Sequence, residues 1–92
     1  FVIINEYPGR LTFYHIDAYR LRGPGDLEAL GVDDFVASGG VTAIEWADLV
    51  SDWLPPETLT IRFALTGETQ RELTVSWCHP ATGKLAQAAC TR

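Results

Sequence analysis

Two carboxylates in this sequence stand at or near the ends of apolar, strand-forming runs. The first is Asp17, in His15-Ile16-Asp17-Ala18-Tyr19-Arg20-Leu21. The second is Glu45, which closes Val41-Thr42-Ala43-Ile44-Glu45 and directly precedes Trp46. In α/β sheets the carboxyl ends of strands open onto the crevice where ligands bind. A carboxylate there can meet a magnesium ion or polarise a water. An apolar strand ending in an acid is also how phosphate-loop hydrolases present the group that holds magnesium or orients the attacking water. Trp46 can face a nucleotide or pack beneath it. Each reading has a plainer rival. Asp17 can form a salt bridge with Arg20, and Glu45 can be a solvent-facing acid beside a core tryptophan. His15, among strand aromatics, reads as a hydrogen-bonded structural residue.

The elements that must position these groups follow from hydrophobic period and punctuation. Phe1 to Tyr7 is apolar and β-branched, hence a strand, and Pro8-Gly9 is a turn signal. Leu11 to Tyr19 is a second strand, and the short connection predicts an antiparallel hairpin. Asp26 is expected to cap a short helix over 27–30 that Gly31 ends, and Asp33 a second one that Gly39-Gly40 ends. Together these helices should turn Leu27, Leu30, Phe35 and Val36 to a core. Val41 to Trp46 reads as a buried strand. Ala47 to Trp53 reads as a helix of about two turns that Pro55-Pro56 closes.

The clearest pattern lies further on. Leu59, Ile61, Phe63 and Leu65 alternate with Thr58, Thr60, Arg62 and Ala64. Leu73, Val75 and Trp77 alternate with Glu72, Thr74 and Ser76. This predicts an antiparallel hairpin with one wet face and with Phe63 and Trp77 in a core. Residues 80–92 are polar and Ala-rich and read as a frayed helix or a disordered tail.

Composition narrows the function. The chain has 92 residues, 47% of them hydrophobic, with three Trp, three Tyr and four Phe, which supports a packed core in one small domain. The net charge of −5 disfavours broad contact with a phosphate backbone. Apolar runs are far too short for a membrane span, so no membrane association is expected. Cys78 and Cys90 have neither CxxC spacing nor a zinc-like arrangement of histidines and read as ordinary thiols of a cytoplasmic protein, with a disulfide left open. No GxxxxGK[ST] phosphate loop occurs; Gly23-Pro24-Gly25 and Gly39-Gly40 are helix punctuation, and Lys84 is the only lysine. A strand that begins at Phe1 suggests a chain cut from something longer.

Taken in order, these segments resemble one family. Phe1 to Tyr7 looks like the strand that follows the SPT of an SPTF motif. His15 to Leu21 resembles HxDxYRL. Leu27-Glu28-Ala29-Leu30-Gly31 with Asp33-Asp34-Phe35 resembles ELEELG-(L/I)-EEY. Gly39-Gly40-Val41 and Ile44-Glu45-Trp46 resemble GG-V…IEW, and Leu54-Pro55-Pro56-Glu57 with the closing hairpin fits as well. The family is the bacterial TsaE (YjeE) family, the P-loop ATPase of tRNA threonylcarbamoyladenosine synthesis. The match runs to about Val75. It departs where the family usually has Pro after IEW, since Ala47 stands there.

The resemblance implies an α/β, P-loop NTPase-like mixed sheet with short helices, here its C-terminal part over residues 1–79, ending in an antiparallel hairpin and followed by the tail. It implies ATP and Mg²⁺ as cofactors. Asp17 would help hold magnesium through its water shell or polarise the hydrolytic water, Glu45 would be the Walker-B-like acid, and Trp46 would lie beside the nucleotide. TsaB and TsaD are the implied partners, with the tRNA held by a partner. Two other readings stay open: another small P-loop enzyme such as a kinase, and a non-enzymatic β-rich interaction module in which Asp17 and Glu45 are surface salt-bridge partners.

Overall fold

A computed structural model describes residues 4–90. Residues 1–3 of the expected first strand and the last two residues of the tail lie outside the described residues. The chain divides into two compact units, Phe1–Leu54 and Pro55–Arg92.

The first unit is a three-stranded mixed sheet with short helices. Strand β1 (Ile4–Tyr7) pairs antiparallel with β2 (Phe13–Asp17), as the turn between them requires. Strand β3 (Val41–Glu45) lies parallel on the other side of β2. A parallel neighbour needs a crossover. Helices α1 (Pro24–Ala29) and α2 (Val32–Ala37) supply it. Ile4, Ile16 and Ile44 stand in register as one row across all three strands. Ile16 is fully buried against a cluster that includes Leu27, Val32 and Val50, with Phe35 and Trp53 packed on its margin. Tyr14 stacks on Phe35 at 4.9 Å. Strand alternation then sends Phe13, His15 and Asp17 to the opposite face.

Several local expectations are corrected. Helix α1 starts at Pro24, whose ring presets the first helical turn, so Asp26 is not its cap. The Asp26 carboxylate instead accepts the Arg22 N–H at 2.9 Å. Helix α2 starts after Gly31, at φ 74°, and Asp33 accepts the Trp53 indole N–H at 3.1 Å. Leu27 and Phe35 do face the core, but Leu30 and Val36 are exposed, both at the ends of six-residue helices. Ala47–Trp53 is a 3₁₀ segment with non-helical backbone at Val50, which the core takes in completely. Gly39 ends α2 at φ 86°. Gly40 lets β3 begin hard against β2, because a Cβ there would overlap the Thr12 carbonyl oxygen. Val41 N–H donates to that same oxygen at 2.9 Å.

The second unit contains β4 (Thr60–Leu65), β5 (Arg71–Ser76) and α3 (Pro80–Cys90). The expected antiparallel hairpin forms, with Ile61 opposite Val75 and Phe63 opposite Leu73. Its apolar face is not a core, however. Phe63 is 68% exposed and Trp77 39%. A two-stranded sheet has no second layer of its own, so side chains that share a face need not be covered. The tail forms a helix: Thr82 Oγ1 donates to the Glu57 carbonyl at 2.8 Å, and Gly83 lies against the Trp77 indole, where a Cβ would collide. Cys78 is a free, exposed thiol.

Candidate functional site

Parallel pairing decides where the two acids go. The β2–β3 register runs from Phe13↔Val41 to Asp17↔Glu45, so the acids end adjacent strands side by side and on one face. The Ala18 N–H donates to the Glu45 carbonyl at 3.1 Å and ties the two strand ends together. The chain leaves both strands at once. After β2, Asp17 Oδ1 accepts the Tyr19 N–H at 3.0 Å and closes a tight turn. After β3, Trp46 takes left-handed backbone at φ 60°, unique for a non-glycine among the described residues. A bulky side chain rarely adopts that region, and such strain concentrates at functional sites. The two turns bring the exposed rings of Tyr19 and Trp46 to a centroid distance of 5.1 Å.

Glu45 has a partner that sequence spacing did not suggest. His15 Nε2 lies 3.1 Å from Glu45 Oε1, with the His side chain 29% exposed and the Glu side chain 61%. The His15 imidazole thus lies against a carboxylate, that of Glu45. Asp17 keeps its Oδ1 on the Tyr19 N–H at the turn that follows β2. The signal was present in part: once β2 and β3 are adjacent and parallel, His15 falls one step back from Asp17 on the same face and in diagonal reach of Glu45. Trp46 is exposed rather than buried, which removes the core-tryptophan alternative.

Two exposed carboxylates at one sheet end are hard oxygen donors of the kind magnesium takes, one or two at a time, while it keeps waters and phosphate oxygens as its other ligands. Among the described residues no three His, Cys, Asp or Glu side chains come together as a full metal cage. The donor set therefore fits magnesium in its usual partial way and does not fit a fully protein-enclosed ion. A shallow depression lined by Arg20, Leu21, Asp26, Ala29 and Leu30 lies close in sequence to Asp17, but neither acid lines it. No helix among the described residues is long and apolar enough to cross a membrane.

Comparison with known proteins places this chain in a family. The model of the family "Threonylcarbamoyl adenosine biosynthesis protein TsaE" matches residues 1–73. The tRNA threonylcarbamoyladenosine biosynthesis protein TsaE of Treponema pallidum is 40% identical over 76 residues, which is 83% of this chain and 56% of that protein. The Bacillus subtilis protein of the same name is 41% identical over 75 residues, 80% of this chain and 46% of that protein. The crystal structure of Bacillus subtilis YdiB superposes with a TM-score of 0.78 at 35% identity, covering 96% of this chain and 55% of that one. The chain thus spans about half the length of the curated relatives it matches. On the strength of these matches, together with the mixed sheet and its closing hairpin, the chain belongs to the TsaE family of tRNA threonylcarbamoyladenosine biosynthesis.

Proposed function

We propose that this chain is the C-terminal part of an ATPase subunit needed to form the threonylcarbamoyl group on the adenosine beside the anticodon of tRNAs that read codons beginning with A. It acts with TsaB and TsaD, in the cytoplasm, and does not itself carry out the carbamoyl transfer. The observation that carries this reading is the Asp17↔Glu45 register, which sets two carboxylates side by side at the open end of a parallel strand pair. Magnesium, when bound, supplies charge neutralisation for phosphate oxygens and an ordered water shell. The chain's own residues do the positioning. Glu45 offers an exposed carboxylate at the end of β3, as the Walker-B-like acid. Asp17 keeps one oxygen on the Tyr19 N–H and turns the other outward to a metal-bound or attacking water. Trp46 walls the site beside the nucleotide.

The 92-residue sequence contains no GxxxxGK[ST], so a triphosphate finds neither the backbone N–H cradle nor the lysine that P-loop binding uses. Calorimetry of this chain with ATP and magnesium is expected to show no one-to-one binding heat. The catalytic test supplies a phosphate-loop segment from a family member ahead of Phe1 and compares wild type with Glu45→Gln. Hydrolysis, measured with TsaB and TsaD present, is expected to fall about a hundredfold, the scale of losing one preorganised electrostatic group. The thermal melt should not move, because an exposed carboxylate contributes little to stability. Near-normal hydrolysis with an unchanged melt would remove Glu45 from the site. A collapsed melt would make it a folding residue instead.

A further inference from the structure

Glu45 is a long side chain at the open end of an edge strand, more than half exposed, and free rotation would scatter its carboxylate over several positions. Among the described residues one contact restrains it. His15 Nε2 meets Oε1 at 3.1 Å from the neighbouring strand. The imidazole is itself held: it lies nearly parallel to Phe13, at a centroid distance of 6.5 Å and 11° between planes. Phe13 in turn packs on Tyr7 at 5.9 Å. Tyr7, Phe13 and His15 form one aromatic row along the sheet face that carries both acids. The backbone of Glu45 is fixed separately, by the Ala18 N–H on its carbonyl. Main chain and carboxylate are thus held by two different residues, Ala18 just after β2 and His15 within it.

We propose that His15 is a positioning residue for Glu45: its Nε2–H donates to the carboxylate and holds it in one rotamer at the end of β3, ready for the role assigned above. A neutral imidazole suffices, because the hydrogen bond needs only a donor at Nε2. This rests on the reading of Glu45 as the site acid, and its first test does not depend on that reading.

The first measurement is NMR on the 92-residue chain, without metal or nucleotide. The three-bond Hα–Hβ couplings of the two Glu45 β-protons should be unequal, as holding either common strand rotamer, χ1 near 180° or −60°, requires. His15→Phe keeps a ring to lie on Phe13 and removes the donor, and it should average those couplings. His15→Gln returns an N–H donor and should restore the inequality. Averaged couplings in the wild type, or unequal ones surviving in His15→Phe, would overturn the proposal. If His15→Phe fails to melt cooperatively, the wild-type couplings decide alone.

The second measurement uses the chain with a phosphate-loop segment supplied. His15→Phe should lower kcat about 10–100-fold, the usual cost of losing a group that orients a ligand-bearing side chain, with KM for ATP unchanged. Added to Glu45→Gln it should cost nothing further, because a residue that acts only through Glu45 has nothing left to position. A full additional loss would show that His15 acts elsewhere and would sink the proposal. If Glu45→Gln itself leaves hydrolysis intact, the ATPase reading falls and the couplings still judge His15.

Discussion

The sheet of the first unit and the hairpin of the second obey the same alternation and come to different ends. In β2, Tyr14 and Ile16 point one way and Phe13, His15 and Asp17 the other. In β4, Ile61, Phe63 and Leu65 point one way and Thr60, Arg62 and Ala64 the other. The inward face of β2 is covered, because Leu27, Val32 and Val50 come over Ile16 from α1, α2 and the 3₁₀ segment. The apolar face of the hairpin is open along most of its length, and α3 meets its Trp77 end through Gly83. Alternation reports which side chains share a face. Coverage depends on a second layer, and a strand carries no local signal for that.

Four substitutions would sharpen or break this contrast. The largest effect is expected for Ile16→Ala. Its side chain is fully buried, and the loss should be about 2–5 kcal/mol by urea titration, the range for emptying a packed site. Gly40→Ala comes next. Its new methyl meets the Thr12 carbonyl, and backbone there cannot rotate away, so about 1–3 kcal/mol should be lost. Gly83→Ala should act within the second unit. Its methyl meets the Trp77 indole, so helical signal from α3 should fall at lower temperature, while Trp53, bonded to Asp33 in the first unit, reports an unchanged environment. The smallest effect is expected for Phe63→Ala, about 0.5 kcal/mol or less, as for a surface position. A large loss at Phe63 would mean that the hairpin face is covered in solution and that the two regions do not differ.

Much of the fold was legible because it is written locally. The Pro8-Gly9 turn, the Gly31 and Gly39 breaks and the two alternating runs before and after Gly67 mark element ends through backbone geometry that few residues permit. Asp26 and Asp33 were misread as caps because acids before a helix usually cap it. Here Pro24 and Gly31 opened the helices first, and the acids were spent on Arg22 and Trp53. The acids at the strand ends could be found by type and position. The His15–Glu45 contact could not, since it joins residues brought together only by the parallel register. The strained backbone of Trp46 was equally hidden, because a tryptophan gives no hint of a left-handed φ.

That register also bears on how the chain reaches its native state. The β4–β5 hairpin closes over a short turn, and hairpins of this kind form in about 1–10 μs. Asp17 and Glu45 can meet only after α1 and α2 have brought β3 back beside β2, and pairings between distant residues are slow. Refolding followed through Trp46 should therefore lag behind refolding followed through Trp77, and equal rates would refute this. Assembly of the acid pair is then a late event, and any substitution that loosens Leu27 or Val32 should delay it even where the finished site is untouched.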